Sequence, residues 1–594
     1  MAFRGRDKTS LRGRRALALV AASAAVTLGM ATGGTVTQAA PDSHKPKPTH
    51  TQVHLLSIND FHGNLVPNAP TSSSGHVNGT PAGGAEYLAT HLQQLRQAAR
   101  ANGQESITVA AGDLIGASPL LSAAFHDEPT IEAMNLIGLE ATSVGNHEFD
   151  EGWRELLRMQ KGGCLPDGDG ANNQNSCPDP EQEFEGADFD FLSANVFFEK
   201  NDKTLFAPYT IKKLKDGRKI GFIGMTLENT PNIVTKSGIE GLKFTDEVET
   251  ANALVPKLKE KGVEAIVVLL HEGGIPADPK AYNSCPGISG PIVDIAKNLD
   301  AEIDAVITGH THQGYNCSIA DPAGAPRLVT SAFSFGRLVT DMRVSIDNLT
   351  GDVDRANTIA NNLIVTQDVP KAPKVTDLIN KYKALVAPIE SKVIGHITTP
   401  LVSRTPDDSG ESPLGNLIAD AQLADPSTVT GGQTPVVAFM NPGGIRSDLV
   451  ATNGAVTFGA AFTVQPFNNY LVSMDMTGTQ IRALLTQQFT GLNQVANKVL
   501  QVSGITYSWK AGATPGTKEV VADSVKIAGQ PLVDGTTYRI VTNNFLSDGG
   551  DGFPAFATAT NKFFGGLDID AFANYLTAHD PYTPGPTDRI TVAP

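Results

Sequence analysis

Side chains that can bind metal ions recur in this sequence directly after short apolar runs. Asp60 and His62 follow the first run, residues 53–58, and stand two positions apart. Four later runs lead into the segments GDL, GNHEFD, HEGG and GHTH. The candidate metal-binding or catalytic residues in these segments are Asp113, Asn146, His147, Asp150, His271, His310 and His312. Carboxylate, amide and imidazole groups together suit zinc, manganese, iron or cobalt rather than metals selected by thiolates. The sequence therefore predicts a centre for divalent metals.

One of these motifs alone would indicate little, because a histidine or a Gly-Asp pair after a strand is usually a turn residue. The set is informative because all five motifs occur in one chain. Two metal ions that act together lie about 3.5–4 Å apart, which requires a ligand shared between them. A carboxylate can bridge two ions, and Asp113 is the candidate for that position. The expected centre is dinuclear.

The polar residues can meet only if the apolar runs are strands of one α/β unit. Between residues 51 and 365, short apolar runs alternate with stretches of helical periodicity, which is typical of sheets covered by helices. The predicted strands are 53–58, 107–111, 141–144, 191–194, 219–225, 265–270 and 305–308, and the predicted helices are 87–100, 130–137 and 249–261. Sites in α/β folds form beyond the carboxyl ends of strands. The motifs are therefore expected to converge.

A second folding unit follows the first. Residues 371–391 have apolar positions at helical spacing and are predicted to form a linker helix within residues 366–392. Residues 393–594 contain their own elements; the predicted strands are 436–440, 470–476 and 537–542, and the predicted helices are 413–423 and 478–489. We expect a metal-binding domain at 51–365 and a C-terminal domain at 393–594.

Residues 1–40 have the composition of a secretory signal peptide. Six basic residues precede an apolar run at about residues 16–30, and small residues end at Ala39 and Ala40. The run is short for a membrane span, so a cleaved leader and a secreted protein without a stable membrane anchor are expected. Arg14 and Arg15 leave the twin-arginine export route open. Release into the medium and retention in a periplasm both remain open.

The charge of the mature chain argues against one class of partner. Cleavage removes six basic residues and Asp7 from the 46 Lys+Arg and 62 Asp+Glu of the full chain, which leaves a net charge of −21. Such a chain has no long-range attraction for polyanions, so nucleic-acid polymers are not expected to bind. A small phosphate ester can still bind where metals or local cations hold it. The sequence does not specify the oligomeric state.

Four cysteines occur, at positions 164, 177, 285 and 317. An even number in an exported chain indicates disulfides, and three pairings are formally possible. We predict Cys164–Cys177 and Cys285–Cys317, because each pair flanks one short segment. A thiolate metal site is the alternative, but the chain has no CxxC spacing.

The motif order D-x-H, GD, GNHE, H and GH-x-H resembles the calcineurin-like metallophosphatase superfamily, and within it the secreted bifunctional 5′-nucleotidase and UDP-sugar hydrolase family. The resemblance implies a four-layered α/β/β/α domain that carries two divalent metal ions (Zn, Mn, Co or Fe). By position, one ion would be held by Asp60, His62, Asp113 and His312, and the other by Asp113, Asn146, His271 and His310. His147 and Asp150 would form the catalytic pair, with Asn146 beside them.

Four C-terminal segments, ESPLGNLIADAQL, NPGGIRSDL, QPFNNYL and NNFLSDGGDGF, resemble the α+β nucleotide-binding domain of the same family. The implied substrate residues are Arg404, Asn441, Gly444, Arg446, Phe467, Asn469, Phe545 and Asp551. Two aromatic rings can enclose a planar base, a carboxylate can accept from ribose hydroxyls, and the arginine fork matches phosphate oxygens. Segment 163–183, which holds one cysteine pair, looks like an insertion of uncertain role.

These residues predict a secreted enzyme that removes the 5′-phosphate from nucleotides. A 2′,3′-cyclic nucleotide phosphodiesterase or a UDP-sugar hydrolase on the same scaffold is the first alternative. A thiosulfate-handling relative shares the N-terminal domain, but the base-binding motifs argue against it. A secreted binding protein with a decayed site is the non-enzymatic alternative, and the full ligand set argues against it. Because metals and substrate residues lie in different domains, a hinge motion at the linker helix is expected.

Overall fold

The computed structural model describes residues 49–70, 72, 74–167, 174–179 and 181–594. The predicted signal peptide lies outside these residues, as does part of segment 163–183. Among the described helices, none has the length and apolar character that crossing a membrane requires.

Six strands form the first sheet. In spatial order they are Ile359–Ile364, Leu338–Asp347, His50–Ile58, Glu105–Ala111, Ala141–Ser143 and Asp190–Leu192. The last four run parallel, with Val53 opposite Glu105 and Val109 opposite Ala141. Their carboxyl ends therefore lie along one edge of the sheet, where the first three polar motifs follow.

A second six-stranded sheet packs on the first. Its strands, in spatial order, are Gly314–Ala320, Pro326–Ala332, Ala305–Thr308, Ala265–His271, Lys219–Thr226 and Tyr209–Lys213. The four central strands are parallel, and Ala265–His271 is buried along its whole length. An apolar core that includes Leu55, Val109, Phe222 and Leu269 lies between the two sheets. Burial on both faces explains why the central strands are continuously apolar.

Helices cover the outer face of each sheet. Ala85–Ala101, Glu128–Ile137 and Trp153–Lys161 pack on the first sheet, and Glu247–Glu260 and Pro291–Asn298 pack on the second. The order of layers is α/β/β/α, as predicted. Each helix and strand that the sequence predicted has observed bounds within three residues of the predicted ones. The sequence did not predict several flanking strands, including Leu338–Asp347.

The C-terminal block is α+β, as predicted. Its main sheet has the strand order Gln501–Ser503, Val437–Met440, Thr537–Asn543, Tyr470–Thr477 and Thr560–Leu567. Helices Pro413–Ala424 and Asp568–Ala578 cover one face, where Ala438 is buried, and Gly478–Gln487 covers the other, where Phe439 is buried. A smaller sheet is built around Ile505–Ala511.

The linking helix is Pro373–Glu390, and it is packed rather than free. It buries Val375, Ile379, Tyr382 and Val386. The Tyr382 hydroxyl donates to Glu132 Oε1 at 3.2 Å, and the helix also contacts Phe458–Val464 of the C-terminal block. One apolar cluster therefore runs through the helices of the first sheet, the linking helix and the C-terminal block.

Both predicted disulfides are present, Cys164–Cys177 and Cys285–Cys317. The first disulfide lies within segment 163–183. Described residues of this segment contact His126 and Glu151 of the main fold. Asp167 Oδ2 lies 3.1 Å from His126 Nε2, and Gln174 Nε2 donates to Glu151 Oε1 at 2.7 Å.

Arg355 neutralises buried carboxylates beneath the strand that leads to His271. Its guanidinium donates to Asp304 Oδ1 at 2.9 Å and to Asp321 Oδ2 at 2.7 Å, and Asp304 Oδ2 accepts from Ile266 N at 2.9 Å. The Asp304 side chain is only 2% exposed. Burial raises the pKa of Asp304 to about 7, although Arg355 opposes the rise.

We expect Arg355→Ala to lower the free energy of unfolding by about 3–5 kcal/mol at pH 8, because it leaves buried carboxylates without their cation. The pKa of Asp304 is about 7 in the folded chain and about 3.9 in an unfolded chain. The Asp304 carboxyl group therefore stabilises the folded state fully below about pH 3.9, and this stabilisation is lost as the pH rises through about 7. The loss should therefore be smaller at pH 5. Denaturant titration at both pH values measures it. Lys510→Ala, at the exposed pair with Glu519, should cost less than about 1 kcal/mol; equal losses in the two variants would contradict the prediction.

Candidate functional site

The five strand ends meet at one edge of the two-sheet unit. They bring two overlapping groups of side chains together; the first contains Asp60, His62, Asp113 and His312, and the second contains Asp113, His271 and His310. Within each group, one potential ligand atom per residue lies within 4.8 Å of the others. Asn146 joins the second group, because its Oδ1 lies 3.0 Å from His310 Nδ1. All seven predicted metal ligands therefore lie together.

The Asp113 carboxylate lies between the two groups. Its Oδ2 is 3.5 Å from His62 Nε2 and 3.0 Å from His271 Nε2. Its Oδ1 accepts a hydrogen bond from the backbone N–H of His147 at 2.9 Å. The carboxylate thus faces both groups at once, which is the position that a bridging ligand requires.

The donor atoms fit a metal ion. His62 Nδ1 donates to the Gly116 carbonyl at 2.8 Å, and His271 Nδ1 donates to the Ala111 carbonyl at 2.7 Å. A carbonyl only accepts, so in each neutral ring Nε2 carries the free lone pair. The Nε2 atom of His271 is buried and, although it lies 3.0 Å from Asp113 Oδ2, it has no partner with hydrogen-bond geometry among the described residues. A buried imidazole nitrogen directed at a carboxylate in this way suits metal coordination.

The electrostatics of the cluster also favour a cation. Burial lowers the pKa of His271, but Asp113 and Asp60 outweigh burial and raise it to about 10. Burial and the charge on His271 lower the pKa of His310 to about 3. Burial raises the pKa of Asp113, but His271 and His147 hold it well below its usual range. The carboxylates of Asp60 and Asp113 are both buried and need positive charge beside them.

Glycines in the motifs allow the strand ends to approach each other. A Cβ atom at Gly145 would lie 2.2 Å from Asp113 Oδ1, and one at Gly309 would lie 2.9 Å from Asp60 Oδ2. Several predicted ligands adopt left-handed backbone conformations; they are Asp60 (φ 48°), His62 (47°), Asp113 (50°), His310 (71°) and His312 (54°). Such conformations are uncommon outside glycine and cluster at functional sites.

Two side chains that the sequence analysis did not single out fix these loops. Glu148 accepts from the backbone N–H groups of Asp113 at 2.9 Å, Leu114 at 2.8 Å and Gly145 at 2.6 Å. Burial, and next the charge of Asp113, raise the pKa of Glu148 to about 7. Asn59 donates to Asp60 Oδ2 at 2.6 Å. Both residues stand inside or beside the quoted motifs, but their spacing does not reveal their partners.

His147 and Asp150 form the predicted pair. His147 Nδ1 lies 2.9 Å from Asp150 Oδ2, which also accepts from the Ala117 N–H at 3.1 Å. Burial lowers the pKa of His147, but Asp150 and Asp113 outweigh it, and the net shift is upward. The His147 ring stacks on Phe467 of the C-terminal block, with ring centroids 5.7 Å apart.

A cleft of about 210 Å³ lies between the metal-binding edge and the C-terminal block. Asn146, His147, Asp150 and His310 line one side. Seven of the eight predicted substrate residues line the other side, and they are Asn441, Gly444, Arg446, Phe467, Asn469, Phe545 and Asp551. The sequence analysis did not single out Lys498, Asn543 or the segment 233–235, which also line it; Asn543 begins one of the quoted C-terminal segments, and no motif points to the others.

Arg404 is the predicted substrate residue that does not line the cleft. Its Nη1 donates to the carbonyls of Ile445 and Arg446 at 2.8 Å each. It therefore supports the backbone that presents Arg446. Arg446 itself is half-buried, and desolvation lowers the pKa of its guanidinium although the charges of Asp113 and Asp150 oppose this.

Both halves of the chain match known protein families. Residues 53–314 match the calcineurin-like phosphoesterase family, and residues 393–558 match the 5′-nucleotidase C-terminal domain. The cell wall protein Lmo0130 of Listeria monocytogenes is 34% identical over 91% of this chain and 68% of its own length. Endonuclease YhcR of Bacillus subtilis is 31% identical over 91% of this chain, which spans 40% of that protein. The crystal structure of a 5′-nucleotidase precursor from Thermus thermophilus superposes with a TM-score of 0.73 at 27% identity, covering 91% of this chain and 99% of that one.

Proposed function

Since the chain belongs to the family of 5′-nucleotidases that join a calcineurin-like phosphoesterase domain to a 5′-nucleotidase C-terminal domain, and is a metal-dependent phosphoric ester hydrolase, we propose that it removes the 5′-phosphate from nucleotides. One observation carries this proposal. The same cleft is lined by His147 beside the predicted metal ligands and by the pair Phe467 and Phe545. A nucleotide spans such a cleft with its phosphate at one end and its base at the other.

Two divalent ions complete the proposed site. One would be held by Asp60, His62, Asp113 and His312, and the other by Asp113, Asn146, His271 and His310. Divalent ions in such a site increase the acidity of water and neutralise charge on phosphoryl oxygens. Zn, Mn, Co and Fe all match these donors.

The chain's own residues position the ester. His147, oriented by Asp150, donates a hydrogen bond toward the phosphoryl group as negative charge builds on its oxygens. Arg446 offers its fork of N–H donors to the same oxygens. Phe467 and Phe545 contact the base, and Asp551 accepts from the ribose hydroxyls. Asn441, Gly444 and Asn469 line the remaining wall, and Arg404 acts through the backbone of Arg446.

A substrate panel tests the proposal. AMP, UDP-glucose, ATP and 2′,3′-cyclic AMP are compared with added Zn, Mn or Co, and phosphate or nucleoside release is measured. We expect the highest kcat/KM for AMP. A preference for the cyclic nucleotide or for UDP-glucose would assign the chain to an alternative on the same scaffold, and bound metal below one ion per chain would favour a binding protein.

We propose that the protein acts outside the cytoplasm on small nucleotides. A mature net charge of −21 disfavours polymeric nucleic acid. One relative is named an endonuclease and another a cell wall protein, and this chain spans only part of each. Hydrolysis of AMP without cleavage of single- or double-stranded DNA would agree with the proposal.

We further propose domain limits of 51–365, 366–392 and 393–594, with a hinge between the linking helix and the last domain. The helix packs extensively on Glu128–Ile137 and Leu120–Ala123. Movement should therefore occur after residue 390, where the helix ends. A donor and an acceptor dye on the two domains should report a change in distance when AMP analogues bind.

Phe545→Ala is expected to raise KM for AMP about tenfold or more, because stacking on one aromatic ring contributes about 1–3 kcal/mol per base. The ring packs directly on Gly550, where an added Cβ would lie 2.5 Å from it, and it lines the cleft. Hydrolysis of p-nitrophenyl phosphate, which has no base, should change little. Phe563→Ala, at an exposed ring outside the cleft lining, is the control; an unchanged KM for AMP in Phe545→Ala would contradict a base-binding role.

A further inference from the structure

An ion pair of the C-terminal block lines the cleft. Lys498 Nζ is 2.5 Å from Asp551 Oδ1, while Asp551 Oδ2 accepts from Asn441 Nδ2 at 2.8 Å. Asn441 Oδ1 in turn accepts from Asn543 Nδ2 at 3.0 Å. The Asp551 side chain is 9% exposed and that of Lys498 is 32% exposed. Both line the cleft, so the pair is available to a bound molecule.

The Asp551 backbone is held in an unusual conformation. Its φ is 58°, in the left-handed region, between Gly550 and Gly552. Asn493 Nδ2 donates to the Asp551 carbonyl at 3.0 Å. A non-glycine residue keeps such a conformation only where its surroundings determine it. The contacts to the carboxylate and to the carbonyl of Asp551 hold its backbone in this conformation.

Lys498 is presented from a fixed segment. Its backbone N–H donates to the Gln488 carbonyl at 3.2 Å, and the N–H of Leu500 donates to Gln488 Oε1 at 2.7 Å. Leu500 is fully buried. The fold therefore depends on the neighbours of Lys498, while its own side chain extends into the cleft. Truncation of that side chain should leave the segment in place.

We propose that Lys498 is a positioning residue that sets selectivity for ribose: its ammonium holds the Asp551 carboxylate in the orientation that accepts hydrogen bonds from the ribose hydroxyls. The inference rests on the proposed nucleotide function. A carboxylate has about four lone-pair positions, and Lys498 and Asn441 each occupy one. Asp551 lines the cleft, so the remaining positions are open to a bound molecule. A sugar without hydroxyls leaves this poorly hydrated carboxylate unpaired, which is how a polar site rejects an analogue that lacks a donor.

The ammonium is needed for charge as well as for geometry. A carboxylate that is 9% exposed loses most of its hydration, and a cation in direct contact compensates for that loss. Without Lys498, Asp551 keeps only the neutral donor of Asn441. Its carboxylate can then rotate, and this change removes acceptor positions from the cleft.

The test is a binding measurement with nucleosides, which contain no phosphate. Adenosine and 2′,3′-dideoxyadenosine are titrated calorimetrically into the wild-type chain, Lys498→Met, Lys498→Arg and Lys510→Met. Lys510 forms an exposed pair with Glu519 at 3.0 Å in the same block and serves as the matched control. We expect the wild type to prefer adenosine, Lys498→Met to reduce that preference about fivefold or more by weakening adenosine binding, Lys498→Arg to restore much of it, and Lys510→Met to leave it unchanged.

An unchanged preference in Lys498→Met would overturn the inference, and so would a wild type that binds both nucleosides equally or binds neither. Phosphate release from AMP is measured in parallel. A wild type that prefers adenosine but does not hydrolyse AMP would contradict the proposed function and leave the role of Lys498 supported. Circular dichroism should be the same in Lys498→Met as in the wild type, and Lys510→Met should keep the wild-type release of p-nitrophenol from p-nitrophenyl phosphate, which separates ribose recognition from folding.

Discussion

Replacing Asp113 with asparagine is expected to reduce kcat for AMP by at least about a thousandfold, because it removes the negative charge that faces both groups of predicted ligands. The carboxylate lies 3.5 Å from His62 Nε2 and 3.0 Å from His271 Nε2, and it also accepts from His147 N. Asparagine keeps the size of the side chain but cannot bridge two cations in the same way. Elemental analysis of the purified variant should show loss of metal together with loss of activity.

The matched control is Asp341→Asn. Asp341 is also a buried carboxylate, in the strand Leu338–Asp347, and lies 2.7 Å from His54 Nδ1 rather than in the site. This variant should lose stability but keep its metal content and, once folded, its turnover. Wild-type activity in Asp113→Asn would contradict the dinuclear scheme. Equal losses of activity in both variants would show that folding, not metal binding, accounts for the effect.

Replacing His147 with alanine is expected to lower kcat for AMP by about a hundred- to a thousandfold, the usual effect of removing one hydrogen-bond donor from a charge-stabilising site. His147 lines the cleft, and Asp150 holds its ring through a contact of 2.9 Å. Because His147 is not among the predicted metal ligands, metal content should stay near the wild-type level. Phosphate release at saturating AMP, combined with elemental analysis, separates this outcome from that of Asp113→Asn.

A second variant refines the role of the pair. Asp150→Asn keeps the hydrogen bond to the Ala117 N–H but removes the charge beside His147, so its kcat should fall less than that of His147→Ala. His91→Ala, at a histidine that contacts the Thr366 carbonyl outside the cleft, controls for loss of an imidazole elsewhere. Full activity in His147→Ala, or loss of its metal, would contradict the proposed role.

Packing contacts, as well as polar contacts, bring residues of the C-terminal block and the metal-binding domain together. Phe467 belongs to the C-terminal block yet stacks on His147, and Arg446 of the same block lies beside Asp113 and Asp150. One apolar cluster continues from the first sheet through Pro373–Glu390 to the C-terminal helices. The arrangement places the proposed base-binding and phosphate-binding residues together in this conformation. A hinge after the linking helix would separate and rejoin them.

Local features of the chain were readable because each is encoded over a short span. The strand before Asp60 is a run of apolar residues, and the polar pair that follows has the two-residue spacing of extended chain. The linking helix has helical spacing of apolar residues. The disulfides close segments with separations of 13 and 32 residues. The sequence by itself thus determined the α/β alternation of helices and strands, the types of predicted ligand and their place at strand ends, whereas the α/β/β/α layering was implied by the family resemblance.

Only the tertiary structure decided which side chains support those ligands. Asn59 reaches Ala332 across 273 residues, and Asn441 reaches Asp551 across 110. Lys498 stands in no motif, and Arg404, although predicted from its motif, lies outside the cleft lining with its guanidinium against the backbone of Ile445 and Arg446. The physical reason is that periodicity and strand-end spacing encode which residues lie on one element. Contacts between distant elements depend on how those elements pack, and no local pattern records that.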